Sequence, residues 1–339
     1  MYQRLIRPLM FRLDPEQAHN LTLKALQLVD VFPFLFGLLS RFYTAHSLPS
    51  AVNAFGLTFP NPIGMAAGYD KDGIAVPGLA ALGFGHIEIG TVTPRPQLGN
   101  PRPRIFRIPA QKALINRMGF PGRGADFVAN KLKRLKLRHP GMILGVNIGK
   151  NADTPNETAV EDYVHLLSTF SPLADYLAVN VSSPNTVGLR RLQAKEFLAG
   201  LLSQLAHKRS ELNEKRPILV KLAPDLSSPE LDDALDAILT AGMDGVIATN
   251  TTISRENLPS NIGREPGGLS GSPLTVRSRE MVAEIHQRTS GELPIIGVGG
   301  IMTPEDACSM LSAGAALIQV YTGIVYAGLG LIKDILEFL

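Results

Sequence analysis

The chain is nearly without cysteine and wholly without tryptophan: Cys308 is the one thiol in 339 residues. A single cysteine excludes an intramolecular disulfide and suits a reducing compartment. Cys308 lies in the helix-like stretch Thr303–Ala313 among apolar neighbours, so a buried packing role is expected for it. An excess of either charge is also missing. The formal net charge is +3, too small for a nucleic-acid binder, which would carry a basic stripe or patch. The one dense basic run, Lys131–Arg138, reads as the solvated end of a helix. The opening segment MYQRLIRPLMFRLDPEQAH is not a secretory signal, because Arg7, Pro8, Arg12 and Asp14 break its apolar runs and no small-residue cleavage site follows. The uncharged stretch Ala313–Ile332 approaches the length of a bilayer span. It contains Gln319, Tyr321, Thr322 and four glycines, and reads better as a buried strand, a turn and a helix start. No His/Asp/Glu cluster has metal-ligand spacing, and the dinucleotide fingerprint GxGxxG is absent.

What the chain has instead is apolar content, 45% of its residues, arranged in a regular alternation. Short apolar runs fall at Ile63–Ala67, His86–Gly90, Ile143–Val146, Tyr176–Val181, Ile218–Leu222, Gly245–Ala248, Ile295–Val298 and Leu317–Val320. Amphipathic helical segments such as Glu196–Arg209, Leu231–Ala241 and Val276–Arg288 separate most of them. Eight buried strands alternating with helices predict an α/β fold, a closed parallel (β/α)8 TIM barrel, with an open doubly wound sheet as the alternative. Two inserts interrupt the pattern: Pro-rich residues 94–116, which look like a hairpin, and the long polar connection 251–275.

Residues 1–48 differ in character and are assigned as a separate helical extension; 49–339 form the barrel. Asp14-Pro15 signals a helix start, and Leu21, Ala25, Leu28 and Phe32 recur at helical spacing. The uncharged run Val31–Leu39 follows, too short to span a bilayer. It reads equally as a helical cap on the barrel or as a patch that dips into a membrane surface.

In such a barrel the C-terminal strand ends face the active site. Read in order they give Lys71, Thr91, Asn147, Asn180, Lys221, Thr249-Asn250, Gly299-Gly300 and Tyr321-Thr322: amides, hydroxyls, two lysines and a glycine pair. These groups suit an anionic, hydrogen-bonding heterocycle that carries a phosphate, and the last two strand ends suit the phosphate itself.

The words AAGYDKDG (66–73), GTVTPRPQLGNPRPRIFRI (90–108), INRMGFPG (115–122), VNVSSPNT (179–186), VKLAPDL (220–226), TNTT (249–252), GGLSG (267–271), GVGGI (297–301) and QVYTG (319–323) resemble the dihydroorotate dehydrogenase family, in that family's order, from about residue 54 to the end. LDPEQAH (13–19) resembles the extension that marks its quinone-dependent class. The resemblance implies FMN as cofactor, held by Ala67, Gly68, Tyr69, Asp70, Lys71, Thr91, Asn147, Asn180, Lys221, Thr249, Gly271, Gly300, Tyr321 and Thr322. It implies dihydroorotate or orotate held by Lys71, Asn116, Arg117, Met118, Gly119, Phe120, Asn180, Asn185, Asn250 and Thr251. Ser183 would be the catalytic base, with Lys71 and Thr186 assisting. The cytosolic class has cysteine at the base position; serine here agrees with the extension. Thr322 stands where relatives often carry serine, and the hydroxyl is kept. His19 and Arg107 match positions that line the family's quinone site, for a ubiquinone-like acceptor.

Chemically, asparagine side chains offer both donor and acceptor, which matches the alternating N–H and C=O edge of a pyrimidine, and a fixed lysine such as Lys221 would stabilise negative charge on reduced flavin. The resulting expectation is a monomeric enzyme of pyrimidine biosynthesis on the cytoplasmic side of the cell membrane, bound peripherally to the membrane surface, with no nucleic-acid partner and no metal. Two rivals stand beside it. A 2-hydroxy acid oxidase on the same barrel would want a histidine base, and no histidine falls at a strand end. An inactive metabolite-sensing barrel would not need Ser183 and Lys71.

Overall fold

The structure, a computed structural model, describes residues 2–43, 50–138, 143–186, 188–256, 258 and 265–339. The N-terminal region holds a π-helical turn at Tyr2–Ile6 and helices α1 (Arg7–Arg12), α2 (Pro15–Val31) and α3 (Phe34–Tyr43). A short antiparallel hairpin, β1 (Val52–Ala54) and β2 (Leu57–Phe59), precedes β3 (Ile63–Met65), α4 (Val76–Ala80) and β4 (His86–Val92). Next come β5 (Ile105–Ile108), β6 (Ala113–Asn116), α5 (Ala125–Arg138), β7 (Ile143–Ile148), α6 (Ala159–Phe170), β8 (Tyr176–Asn180), α7 (Lys195–Glu211), β9 (Ile218–Leu222), α8 (Ser228–Thr240) and β10 (Gly245–Ala248). The chain ends with β11 (Gly268–Gly271), α9 (Thr275–Arg288), β12 (Ile295–Val298), α10 (Pro304–Ser312), β13 (Leu317–Val320), α11 (Thr322–Ala327) and α12 (Gly330–Phe338).

Eight parallel strands close in the order β3-β4-β7-β8-β9-β10-β12-β13 and back to β3. They are the eight predicted runs; β9, β10, β12 and β13 match at both ends, and β3, β4, β7 and β8 differ at their C-terminal ends by one or two residues. Their continuous apolar sequences follow from burial on both faces, against the helices outside and against each other inside. Large rings fill the interior beside glycines: a Cβ at Gly145 would lie 2.1 Å from the Tyr176 ring. Phe55 and Phe59 of the β1–β2 hairpin plug the N-terminal mouth in a cluster with Tyr176, Leu219, Ile247 and Leu317.

Both inserts are structural partners. Residues 105–116 form the expected hairpin, and β11 from the second insert adds to it, giving a three-stranded sheet in the order β11-β6-β5. Part of the second insert (257, 259–264) lies outside the described residues. Cys308 corrects an expectation: it is exposed on α10, because α10 turns only Ala307 and Met310 fully inward. Of the basic run, Lys131 reaches Asp30 of α2 at 2.5 Å while Lys133 and Arg134 are exposed.

The N-terminal helices dock through one face only. Asp14 caps α2, its Oδ1 accepting from Glu16 N (2.9 Å) and Gln17 N (3.1 Å), with Pro15 pre-set in the first turn. The buried stripe is Ala18, Leu23, Leu26 and Val29. It approaches α4 so closely that a Cβ at Gly78 would sit 2.4 Å from the Leu26 carbonyl oxygen. The periodic stripe noted in the sequence, Leu21, Ala25, Leu28 and Phe32, faces outward instead. The α3 helix buries none of its residues, and Phe34 remains 71% exposed. The domain boundary expected at 48/49 lies outside the described residues. No helix among the described residues is long and apolar enough to cross a membrane.

Docking is fixed by a nearly dry ion pair. Glu16 Oε1 accepts from Arg104 Nη2 (2.7 Å) and Arg102 Nη2 (2.9 Å), and Glu16 Oε2 accepts from Arg104 Nε (3.1 Å). Burial pushes the Glu16 carboxyl up, but the two guanidiniums outweigh it and hold the pKa below the ordinary 4.5. A depressed carboxyl contributes stability that is present above pH 4.5 and lost as pH falls through the lowered value. Glu16→Ala should therefore cost roughly 3 kcal/mol at neutral pH, since it strands a buried guanidinium. Denaturant melts of wild type and variant, run across pH, should converge in acid; a constant gap would remove this pair from the account.

Candidate active site

The C-terminal ends of the strands surround one cleft of about 1140 Å³, counting its open mouth. The three-stranded sheet walls its upper side through Ile105, Leu114, Asn116, Ser270 and Gly271. Most of the predicted positions converge here: Ala67, Gly68, Lys71, Thr91, Asn116, Met118, Gly119, Phe120, Asn180, Ser183, Asn185, Lys221, Thr249, Asn250, Thr251, Gly271, Gly300, Tyr321 and Thr322 all line the cleft.

Seven do not. Asn147 lies beneath the floor, accepting from Thr91 Oγ1 (2.6 Å) and Asn180 Nδ2 (3.1 Å). The Asp70 carboxylate is taken up by the turn after β3, accepting from Ile74 N and Ala75 N at 2.9 and 2.7 Å. Tyr69 stands behind the wall, bonded to Thr22 (3.2 Å) and edge-on to both His19 and Tyr321. Arg117 turns outward, donating to Glu265 at 2.6 Å with its guanidinium over Phe106. Thr186 is buried, and its Oγ1 has no partner among the described residues. His19 lies on α2 behind Tyr69, and Arg107 ties β5 to the α1–α2 link by donating to Leu13 O at 2.9 Å. Arg107 is thus a half-buried tether rather than a free surface arginine.

The loop after β8 carries Ser183, 5% exposed, whose Oγ accepts from Asn185 N at 3.3 Å. Arg190 braces this loop: Nε donates to Ser182 O (3.1 Å), Nη2 to Thr251 O (2.9 Å) and Nη1 to Asp225 (2.7 Å). The loop carrying Asn116–Phe120 is held from below by Gln97, which donates to Gly119 O and Phe120 O, and by Asn100, which donates to Arg117 O and Asn185 O. Asn185 Nδ2 donates to Asn116 Oδ1 at 3.0 Å.

Lys71 Nζ donates to Gly68 O at 2.6 Å; burial lowers its pKa to about 8. Burial, with the Lys71 charge adding to it, holds His19 neutral, its pKa at about 3. Lys221 Nζ lies 3.5 Å from Glu88 Oε1 inside the barrel. Sequence reasoning missed Glu88 and Gln319 as parts of the site. The signal was available: a charged residue in the apolar run HIEIGTV, on the same strand face as His86, is too costly to bury without a partner.

The cleft has polar capacity to spare. Asn185 Oδ1, Thr251 Oγ1 and Gln319 Oε1 are buried, line the cleft, and have no hydrogen-bond partner among the described residues. Buried polar atoms are ordinarily satisfied, so these three leave hydrogen-bonding capacity that a polar ligand can take up. At Gly68 the nearest atom to an added Cβ would be Tyr321 Cε2 at 3.6 Å, which leaves bare backbone facing the cleft. Among the described residues no group of acids, histidines and cysteine is placed to hold a metal ion.

The sequence profile of the family described as dihydroorotate dehydrogenase matches residues 50–339. A protein of Roseiflexus sp. (strain RS-1) named dihydroorotate dehydrogenase (quinone) is 52% identical over 331 residues, covering 98% of this chain and 91% of its own. One of the same name from Acidithiobacillus ferrooxidans is 51% identical over 340 residues, covering 98% and 93%. Among solved structures, a ligand-free DHODH from Eimeria tenella superposes with a TM-score of 0.83 at 38% identity, covering 95% of this chain and 93% of that one. A DHODH from the same organism in complex with ferulenol gives 0.82 at 37% identity, covering 95% and 89%.

Proposed function

The chain belongs to the dihydroorotate dehydrogenase family, and from that premise we propose that it oxidises dihydroorotate to orotate in pyrimidine biosynthesis, using FMN and passing the electrons to a membrane quinone. The observation that carries the reading is the convergence, on one barrel rim, of Ser183, Lys71, Lys221 and the asparagines 116, 180, 185 and 250. The unsatisfied Asn185 Oδ1 and, beside them, Thr251 Oγ1 match a ring of alternating donors and acceptors.

The residues present fit FMN. Gly271, Gly299, Gly300, Thr322 and Gly323 offer backbone and hydroxyl groups for a phosphate at the β11, β12 and β13 ends. Thr91, Asn180, Lys221 and Thr249 would hold the ring edge. Bound FMN supplies the hydride acceptor for C6 of dihydroorotate and the link to the second half-reaction. The protein's own work is proton transfer and orientation. Ser183 Oγ takes the proton from C5; its neighbour Thr186, whose buried hydroxyl has no partner among the described residues, offers the next site on the proton's way out. Lys71 meets the substrate carboxylate, and the asparagines fix the ring so that C5 faces Ser183. The three-stranded sheet and the Asn116–Phe120 loop exclude water.

The helical extension serves the quinone. Its outer stripe, with α1 and α3, exposes apolar side chains such as Leu9 (62%), Leu28 (48%), Phe34 (71%) and Phe42 (65%), which are costly in water and suited to a shallow in-plane contact with lipid. His19, Tyr69 and Tyr321 form a ring-to-ring chain from α2 to the cleft. A neutral His19 and the Arg107 tether would line the quinone's approach. Residues 1–48 are on this reading the membrane-associating unit and 49–339 the catalytic one.

Three outcomes are expected. Ser183→Ala should keep FMN and orotate binding while flavin reduction slows by roughly two to four orders of magnitude, the scale of a lost general base; stopped-flow absorbance measures it, and a wild-type rate would unseat Ser183. Orotate affinity should be level below pH 8, where Lys71 is charged, and fall by up to about tenfold per pH unit above it. Lys71→Arg keeps its charge and should flatten that profile; an identical fall in the variant would assign it to another group. Phe32→Asp or Leu28→Asp, both at exposed positions, should leave reduction by dihydroorotate intact and slow reoxidation by a vesicle-embedded long-chain quinone more than by a soluble short-chain one. Equal slowing of both half-reactions would leave the extension a structural cap.

A further inference from the structure

Beneath the cleft, inside the barrel, Glu88 is completely enclosed and is surrounded by donors. Its Oε1 accepts from Asn147 Nδ2 (2.9 Å) and faces Lys221 Nζ (3.5 Å). Its Oε2 accepts from Gln319 Nε2 (2.9 Å) and Tyr176 Oη (3.2 Å). Both carboxyl oxygens face donors, and every amide that touches them presents its NH2. The consequence travels outward. With its nitrogen on Glu88, Asn147 turns Oδ1 up to Thr91 Oγ1 and Asn180 Nδ2. Asn180 has then committed both N–H groups, to Asn147 and to Thr91, so its Oδ1 accepts from Ser182 and from Asn250 Nδ2. Asn250 in turn directs its own Oδ1 to Thr251 N at 2.8 Å. On the other side, Gln319 must aim its unpartnered Oε1 away from the carboxylate.

We propose that Glu88 is a positioning residue that sets the donor–acceptor sense of the whole cleft floor, from Asn147 through Asn180 to Asn250, and thereby the recognition of the pyrimidine ring. This rests on the reading of the cleft as an orotate and FMN site. An amide can flip by half a turn at almost no steric cost, so shape alone leaves each asparagine with two states. One buried acceptor-only group removes that freedom along the chain, because each reversal would set two donors or two acceptors face to face.

The test compares substitutions that separate shape from hydrogen-bond sense. Glu88→Gln is nearly isosteric but introduces donors where only acceptors fit. Glu88→Asp loses a methylene group but remains acceptor-only. Orotate affinity is read by perturbation of the flavin spectrum of the FMN-loaded protein, with FMN content and melting temperature as controls. Glu88→Gln is expected to weaken orotate by roughly tenfold or more, and Glu88→Asp by clearly less. The opposite order, or wild-type affinity in Glu88→Gln, would overturn the proposal, since a packing role predicts the isosteric change to be the milder. If Glu88→Gln does not fold, Asn147→Leu decides: it breaks the relay above an intact Glu88–Lys221 pair, and weakened orotate binding supports the proposal while unchanged binding overturns it. Wild-type protein that bound neither FMN nor orotate would instead sink the functional reading.

Discussion

Closure of the parallel sheet is the constraint from which the rest follows. Eight strands that hydrogen-bond all the way round leave no edge, and because all run the same way, every C-terminal end arrives at one rim. That geometry gathers Lys71, Thr91, Asn180, Lys221 and Asn250, which are far apart in the chain, around a single cleft. It also makes an interior that water does not reach, so polar groups placed there must satisfy one another. Glu88, Tyr176, Gln319 and Asn147 join in a single hydrogen-bonded cluster, and its upper surface is the floor of the site.

What the barrel does not supply, the inserts and the extension add. The three-stranded sheet assembled from the two inserts walls the cleft, and the Glu16–Arg104 pair pins α2 against the start of that sheet. Arg104 also donates to Leu98 O and Asn100 O, and Asn100 holds the loops of Arg117 and Asn185. The extension and the substrate wall therefore share one bracing network. The α2 helix carries two apolar stripes: Leu23, Leu26 and Val29 turn inward onto the barrel while Leu21, Leu28 and Phe32 turn out.

The barrel was legible because each of its strands is a locally continuous apolar run bounded by turns, and burial on both faces is a property a short window can register. The β1–β2 hairpin was not, since three-residue arms carry no period and its plugging ring, Phe59, looks like any loop aromatic. The pairing of β11 with β6 escaped because nothing local in GGLSG points to a partner some 150 residues earlier. Cys308 was misjudged for a related reason: apolar neighbours in sequence lie on different sides of a helix. Of the site, the strand-end residues followed from the barrel, whereas Ser183 and the roles of Asn185 and Thr251 came from the family resemblance. The charged groups of Asp70 and Arg117, which the motifs placed at the site, are taken up by a turn and by the Glu265 pair.

The central claim is that one cleft removes a proton and a hydride from dihydroorotate and that the electrons then leave to a quinone. Anaerobic mixing of the purified, FMN-loaded protein with dihydroorotate, followed by addition of separate acceptors, tests it most directly. The account predicts that the visible flavin band bleaches with dihydroorotate and returns promptly with a quinone, but not with fumarate or a nicotinamide dinucleotide. Protein that takes up no flavin, a band that dihydroorotate leaves unchanged, or colour restored by fumarate and not by quinone would contradict it.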